Sequence, residues 1–195
     1  MLTFIYMDKL LEDIKGCQIC SHLLPHVVNP VVTASTESRV AIIGQAPGSI
    51  VHKTGIPWND KSGDRLREWM GVSKNLFYDT SIFALVPMGF CYPGKGKTGD
   101  LPPRKECAPQ WHEPLFEQMR NLELILLIGS YAQKYYLEEN PYNTLTKSVK
   151  NYKDFLPKYF VLPHPSPRNN IWLKRNIWFE KEVIPSLKDI IAPLK

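Results

Sequence analysis

At 195 residues, with 44% hydrophobic and 22% charged side chains, the chain is long enough and apolar enough to bury the core of one folded domain. It has no run of about 18 apolar residues, and residues 1–9 lack a basic stretch ahead of an apolar one, so the sequence predicts no transmembrane helix, no signal peptide and a cytoplasmic protein. The net charge of +5 suits a polyanionic partner without requiring one.

In chain order, Leu10, Leu11 and Ile14 predict a helix over 7–15 that ends at Gly16, with Cys17 and Cys20 just beyond it. Residues 25–38 read as irregular. Residues 39–43 predict a first buried strand, leading into Gly44-Gln45-Ala46-Pro47-Gly48. Leu66, Trp69 and Met70 share one side of a helix predicted over 62–70. A second strand is predicted over 82–86 and is closed by Pro87. Residues 89–109 then form a long Gly/Pro-rich loop that carries Lys95, Lys97, Arg104 and Lys105, with Cys91 and Cys107 near its two ends. A loop of that length inside a compact domain is usually functional or pinned.

A third strand is predicted over 122–128, followed by a helix over 130–137 with Ser130 as its N-cap. The fourth strand, 159–162, leads into His164-Pro165-Ser166-Pro167-Arg168-Asn169, and Lys174 and Arg175 follow. A closing helix spans 178–191, interrupted near Pro185. Strands alternating with helices predict an α/β fold, a three-layer αβα sandwich with a central, mainly parallel four-stranded sheet, as a single domain over 1–195.

In an open parallel sheet, the loops at the carboxyl ends of the strands form the ligand crevice, so the Gly44–Gly48 turn and His164 are expected to face one pocket. Two basic clusters beside that pocket favour phosphate contact. The absence of Gly-x-Gly-x-x-Gly and of a P-loop counts against a nucleotide-binding enzyme of small molecules. Cys17-x-x-Cys20 does not lie between a strand and a helix, which argues against a thioredoxin-like pair, and structural disulfides are rare in the cytoplasm. Four thiolates in two pairs suit zinc or an iron–sulfur cluster, and spacing alone leaves both open, against the alternative of four unrelated buried thiols.

These segments together resemble the uracil-DNA glycosylase superfamily over nearly the whole chain, most closely its iron–sulfur-containing fourth and fifth families. The resemblance implies a [4Fe–4S] cluster held by Cys17, Cys20, Cys91 and Cys107, with zinc as the alternative. It also implies that Gly44, Gln45, Ala46, Pro47 and Gly48 lie beside a nucleotide flipped out of DNA, where they place a water and offer backbone N–H groups. Gln45 stands where the fourth family has a glutamate, and Ala46 where the best-known uracil enzymes have an aspartate. Neither carboxylate is present here.

Gly55-Ile56-Pro57-Trp58-Asn59-Asp60-Lys61-Ser62-Gly63-Asp64 resembles a second segment of these families. Trp58 takes the place of the aromatic that stacks on the base, against the alternative of a core tryptophan. Asp60 matches an acidic residue of the fifth family that acts on water, against the alternative of a helix N-terminal residue. His164 matches the histidine that contacts the base carbonyl. Ser166, Arg168 and Asn169 would then touch phosphate or fill the gap left by the flipped nucleotide. Many uracil enzymes read the base with an asparagine after the second strand, and Val86-Pro87-Met88-Gly89-Phe90 offers none.

The implied activity is a monofunctional glycosylase hydrolysing the N-glycosidic bond of uracil or another deaminated base. Its partner would be DNA containing a damaged base, with no membrane involved, and the protein would act as a monomer. No lysine is placed like a Schiff-base nucleophile. The alternative is a non-catalytic nucleic-acid-binding protein that kept the fold.

Overall fold

The computed structural model describes residues 2–194. The elements in chain order are α1 (Leu2–Lys15), β1 (Val40–Ile43), α2 (Ser49–Thr54), α3 (Lys61–Met70), α4 (Lys74–Phe77), β2 (Phe83–Leu85) and α5 (Cys107–Gln118). There follow β3 (Leu124–Ile128), α6 (Ser130–Tyr136), α7 (Leu145–Lys150), β4 (Tyr159–Leu162), α8 (Asn170–Arg175) and α9 (Ile184–Ile191).

The strands form one sheet in the order β2-β1-β3-β4, and every pair is parallel. Their sequences, VAII, FAL, LILLI and YFVL, are apolar without alternation because helices cover both faces. Val40 lies opposite Phe83 on one side and Leu124 on the other, and Ile125 lies opposite Tyr159. Helix α1 packs on α5, while α3 packs on α9, giving the three-layer α/β sandwich that the alternation predicts. The chain runs outward to β2 from β1 and the other way to β4 from β3. The switch point between β1 and β3 is where open sheets of this kind bind ligands.

The segment before β1 is irregular but not idle. Thr33 and Leu85 exchange main-chain hydrogen bonds of 3.2 and 2.7 Å, and Val31 N–H donates to Phe90 at 2.8 Å, so this arm covers the exposed edge of β2.

Several elements depart from the sequence expectation. The loop predicted to reach residue 109 ends sooner, because Cys107 opens α5. Pro109 sits in the first helical turn, where a missing N–H costs nothing, and Pro114 is carried in the interior while His112 and Leu115 are buried. Ser130 is not the N-cap of α6. Gly129 holds that position with φ of 84°, and no side chain caps the helix. The closing helix begins as a π-helical turn over Phe179–Val183 and becomes α9 at Ile184, so the wider turn lies directly ahead of Pro185, which cannot donate. Helices α2, α4, α7 and α8 span too few residues to show a period in sequence. Among the described residues no helix is long and apolar enough to cross a membrane.

Candidate active site

The loops at the carboxyl ends of the strands enclose a cavity of about 420 Å³, room enough for a nucleobase. Gly44, Gln45, Ala46, Pro47 and Gly48 enter it from β1, and Pro87 from beyond β2. Trp58 and Asp60 line it from the turn before α3, and His164, Ser166, Arg168 and Asn169 from beyond β4. Every residue that the resemblance assigns to the base site thus meets at one cavity, whereas the loop cations Lys95, Lys97, Arg104 and Lys105 and the cations Lys174 and Arg175 do not line it. The first of these loops is tied to the second strand's exit, since Gly44 and Gln45 carbonyls accept from Met88 and Gly89 N–H at 2.9 and 3.1 Å.

His164 is held in a defined orientation. Its Nδ1 accepts from Ser166 N–H at 3.2 Å, which leaves Nε2 to carry the proton of the neutral ring. Asn169 Nδ2 donates to the His164 carbonyl at 2.7 Å, and Arg65 Nη1 donates to the carbonyls of Pro165 and Ser166 at 3.3 and 3.2 Å. Asn169 therefore fixes the loop backbone. Burial lowers the His164 pKa, against the opposing pull of Asp60 and Asp100, so the ring is neutral near pH 7.

Trp58 stacks on His164 with ring centroids 5.8 Å apart and planes inclined by 28°. Its φ of 54° is a left-handed conformation, which costs a non-glycine residue about 1–3 kcal/mol unless its surroundings impose it. Two glycines make room. A Cβ at Gly63 would lie 1.8 Å from the Trp58 carbonyl oxygen, and one at Gly44 would lie 2.6 Å from Trp58 Cζ2. The buried Arg67 guanidinium donates to the Trp58 carbonyl at 3.4 Å and pairs with Asp64 at 2.5 Å. Trp58 thus packs partly on the core and partly lines the cavity, combining the two alternatives. Asp60 does likewise: its Oδ1 accepts from Gly63 N–H at 2.9 Å as the N-cap of α3, and the residue also lines the cavity.

The long loop contains a hairpin turn whose ends meet at a Lys95–Asp100 bridge. Arg168 reaches across to it, donating from Nη1 to the Thr98 carbonyl at 3.0 Å, and Gln45 Nε2 donates to the Leu101 carbonyl at 3.3 Å. Arg168 is therefore a latch on the loop as well as a surface cation. Asp100 lines the cavity too, and the sequence offered no signal for it, since a single aspartate in a Gly/Lys-rich loop belongs to no motif. Lys95, Lys97 and Lys105 are exposed, whereas Arg104 is paired with Glu106 at 2.7 Å and is not a free loop cation.

A model of the Uracil DNA glycosylase superfamily matches residues 31–188. The chain belongs to the uracil-DNA glycosylase superfamily. It is also similar to the Type-4 uracil-DNA glycosylase of Thermotoga maritima, with 27% identity over 163 residues, or 82% of this chain and 81% of that protein.

After β2, where the resemblance leads to the expectation of a base-reading asparagine, the chain has Val86-Pro87-Met88-Gly89-Phe90; Pro87 lines the cavity, and its carbonyl is already engaged. His112 Nε2 contacts it at 3.1 Å, while Tyr136 bonds Nδ1 of the same ring. Burial pushes the His112 pKa down to about 4, so the ring is neutral, donating to Pro87 and accepting from Tyr136. No sequence pattern marked His112, a lone histidine on a helix that periodicity did not reveal.

None of the four cysteines is in a disulfide. Cys20, Cys91 and Cys107 are buried and Cys17 is partly exposed. Cys17 and Cys20 follow α1, and Cys107 begins the helix on which α1 packs. Burial pushes the Cys91 thiol up to about 11 and Cys107 up to about 12. Cys107 also feels the charge of the other three, so the four thiols lie within electrostatic reach of one another. Yet among the described residues no three metal-ligating side chains are grouped closely enough to hold a single ion. All four are sulfur donors, a set that suits a thiolate-held centre, zinc or an iron–sulfur cluster alike.

Proposed function

We propose that this protein is a monofunctional DNA glycosylase that hydrolyses the N-glycosidic bond of uracil or another deaminated base flipped out of DNA. The observation that carries the reading is His164, neutral and tautomerically fixed by Ser166, stacked on Trp58 beside the cavity of a superfamily member. Breaking the bond leaves negative charge on the departing base, and a preorganised donor aimed at that charge lowers the barrier without reorganising at the moment of reaction. The Nε2–H of His164 is that donor. Trp58 supplies the face on which the base stacks, and Gly44 to Gly48 bring backbone close to it.

DNA reaches the cavity across Lys95, Lys97, Arg168, Lys174 and Arg175, which contact phosphates without reading sequence. With Pro87 where an amide would discriminate, base choice rests on the shape of the cavity and on His164. Hypoxanthine or xanthine is therefore as natural a substrate as uracil. Cys17, Cys20, Cys91 and Cys107 would hold a [4Fe–4S] cluster, with zinc as the alternative, and its chemistry here is to cross-link α1, the long loop and α5. We read the chain as one domain acting as a monomer.

The test is single-turnover excision from oligonucleotides that each carry one uracil, hypoxanthine or xanthine, with strand cleavage by alkali as the readout. Excision of at least one lesion is expected. Binding to all of them with excision of none favours the non-catalytic alternative, which the absence of a carboxylate at Gln45 and Ala46 makes the one to exclude.

A further inference from the structure

We propose that Asp100 is the carboxylate that activates the attacking water and faces the sugar cation, a role that rests on the protein being a glycosylase. The loop after β1 carries no acidic residue, and among the described residues the only carboxylates lining the cavity are Asp60 and Asp100. One oxygen of Asp60 is committed to Gly63 N–H at 2.9 Å, where it starts α3. Asp100 has no such helix to cap. Its Oδ2 stands 3.6 Å from the point where a Cβ on Gly48 would lie, and its Oδ1 accepts from the Tyr92 hydroxyl at a long 3.4 Å. Its charge is felt at His164, as is that of Asp60.

The hairpin that carries Asp100 is built to hold a position. Leu101 N–H donates to Gly94 at 2.9 Å and Gly96 N–H to Gly99 at 2.6 Å, closing the turn from within. Tyr92, which steadies Oδ1, is itself stacked on His26 at 5.2 Å. From outside, Arg168 holds the tip at Thr98 and Gln45 holds the return strand at Leu101. A Cβ at Gly99 would meet Arg168 Nη1 at 2.0 Å, so a side chain there would displace the guanidinium from its present position. Arg168 belongs to the same short segment as His164, so one contact sets the base donor and the carboxylate relative to each other. Asp100 is exposed in the free protein. DNA laid over the cavity removes the surrounding water and strengthens the carboxylate's field on the reacting sugar.

The step balances without a cofactor. The C1′–N bond breaks with its electron pair leaving on the base, whose anion is held by His164 Nε2–H and takes a proton from solvent on release. A water oxygen forms the new bond to C1′ and gives its proton to the Asp100 carboxylate, which returns it to solvent.

The experiment is single-turnover excision from a single-stranded oligonucleotide carrying one deoxyuridine, or one deoxyinosine if that is what the wild-type protein excises. Asp100→Asn should lose about a hundredfold in rate. Its DNA affinity should hold or improve, since a negative charge near phosphate is gone. Asp60→Asn keeps an acceptor for Gly63 and should lose about tenfold or less. Asp100→Gly should recover part of its loss in sodium formate, a response that a purely structural aspartate does not give. An active wild type with Asp100→Asn within about threefold of it, or an Asp60→Asn loss as large as that of Asp100→Asn, overturns this assignment alone. A wild type that excises nothing overturns the glycosylase reading together with it.

Discussion

Replacing His164 by alanine removes three things that can be separated. The first is the Nε2–H donor, whose loss from a preorganised site costs about a hundredfold to a thousandfold in rate, or about 2.7–4 kcal/mol. The second is the stack on Trp58 at 5.8 Å and 28°, worth about 0.5–1.5 kcal/mol as an aromatic pair. The third is the acceptor for Ser166 N–H, whose place at the partly exposed loop a water can take. The stack contributes to folding as well as to catalysis, so His164→Ala should lower Tm along with rate. His164→Phe keeps an aromatic ring against Trp58 and removes only the polar function. It should therefore keep Tm near wild type and still lose about a hundredfold or more in single-turnover excision at saturating DNA. Because the His164 pKa is lowered from its ordinary value near 6.5, the wild-type ring is already neutral at pH 7, and its rate should not fall between pH 7 and 8 through loss of an imidazolium. A His164→Phe protein that excises at the wild-type rate, or whose defect vanishes at saturating DNA, would refute donation from His164.

Other consequences follow from buried contacts. His112 has its pKa depressed to about 4, so the unfolded chain binds the extra proton between about pH 6.5 and 4; stability is fully present above about 6.5 and declines by at most about 3 kcal/mol as pH falls to 4. Urea unfolding across that window should show the decline in wild type and a smaller one in His112→Asn, and identical slopes would remove His112 as the cause. Gly44→Ala places a Cβ 2.6 Å from Trp58 Cζ2, so the indole must leave its position over His164 at an overpacking cost of about 1–3 kcal/mol; unchanged Tm and excision would show that the ring is not wedged there. Cys107→Ser removes one of the four thiols proposed to hold the cluster and should strip the purified protein of visible colour, iron and acid-labile sulfide. Wild-type iron content in that variant would exclude Cys107 as a ligand.

The sheet was legible because parallel strands buried on both faces cannot hide their apolar runs, and LILLI and YFVL read the same alone as in the fold. The two site loops were legible for the same reason: Gly44 and His164 stand directly after such runs, and strand ends of one parallel sheet share an edge. Helix α5 was not, because Pro109 and Pro114 read as breakers until the core side of His112 and Leu115 is known. Ser130 had the chemistry of a cap, but the left-handed Gly129 ahead of it took the position, a backbone choice that composition does not reveal. Asp100 was invisible for another reason. Its place depends on Arg168 reaching the tip of a hairpin from 70 residues further along the chain, and no local pattern encodes that contact.

That dependence also accounts for where the cysteines lie. Residues 92–106 include Gly94, Gly96 and Gly99 and several prolines, and their largest aliphatic side chain, Leu101, is exposed. Beyond buried Tyr92 and Pro93, such a segment buries little apolar surface to offset the conformational entropy of ordering it. Its hydrogen bonds to Arg168 and Gln45 hold the tip, but together they supply only a few kcal/mol net, about 1.5–3 for the charged donor and about 0.5–1.5 for the amide. Cys91 and Cys107 stand just outside the segment at either end, and α1 brings Cys17 and Cys20 toward Cys107 by packing on α5. A cluster held by all four thiolates, as proposed, would tie both ends together, shorten the stretch that must be ordered and remove much of its freedom before DNA arrives. Tyr92, the neighbour of Cys91, carries that constraint directly to Asp100. A centre held by the four cysteines would fix the stem of a hairpin whose tip is held by Arg168, and a carboxylate between two fixed points can stay aimed at one cavity without a rigid element of its own.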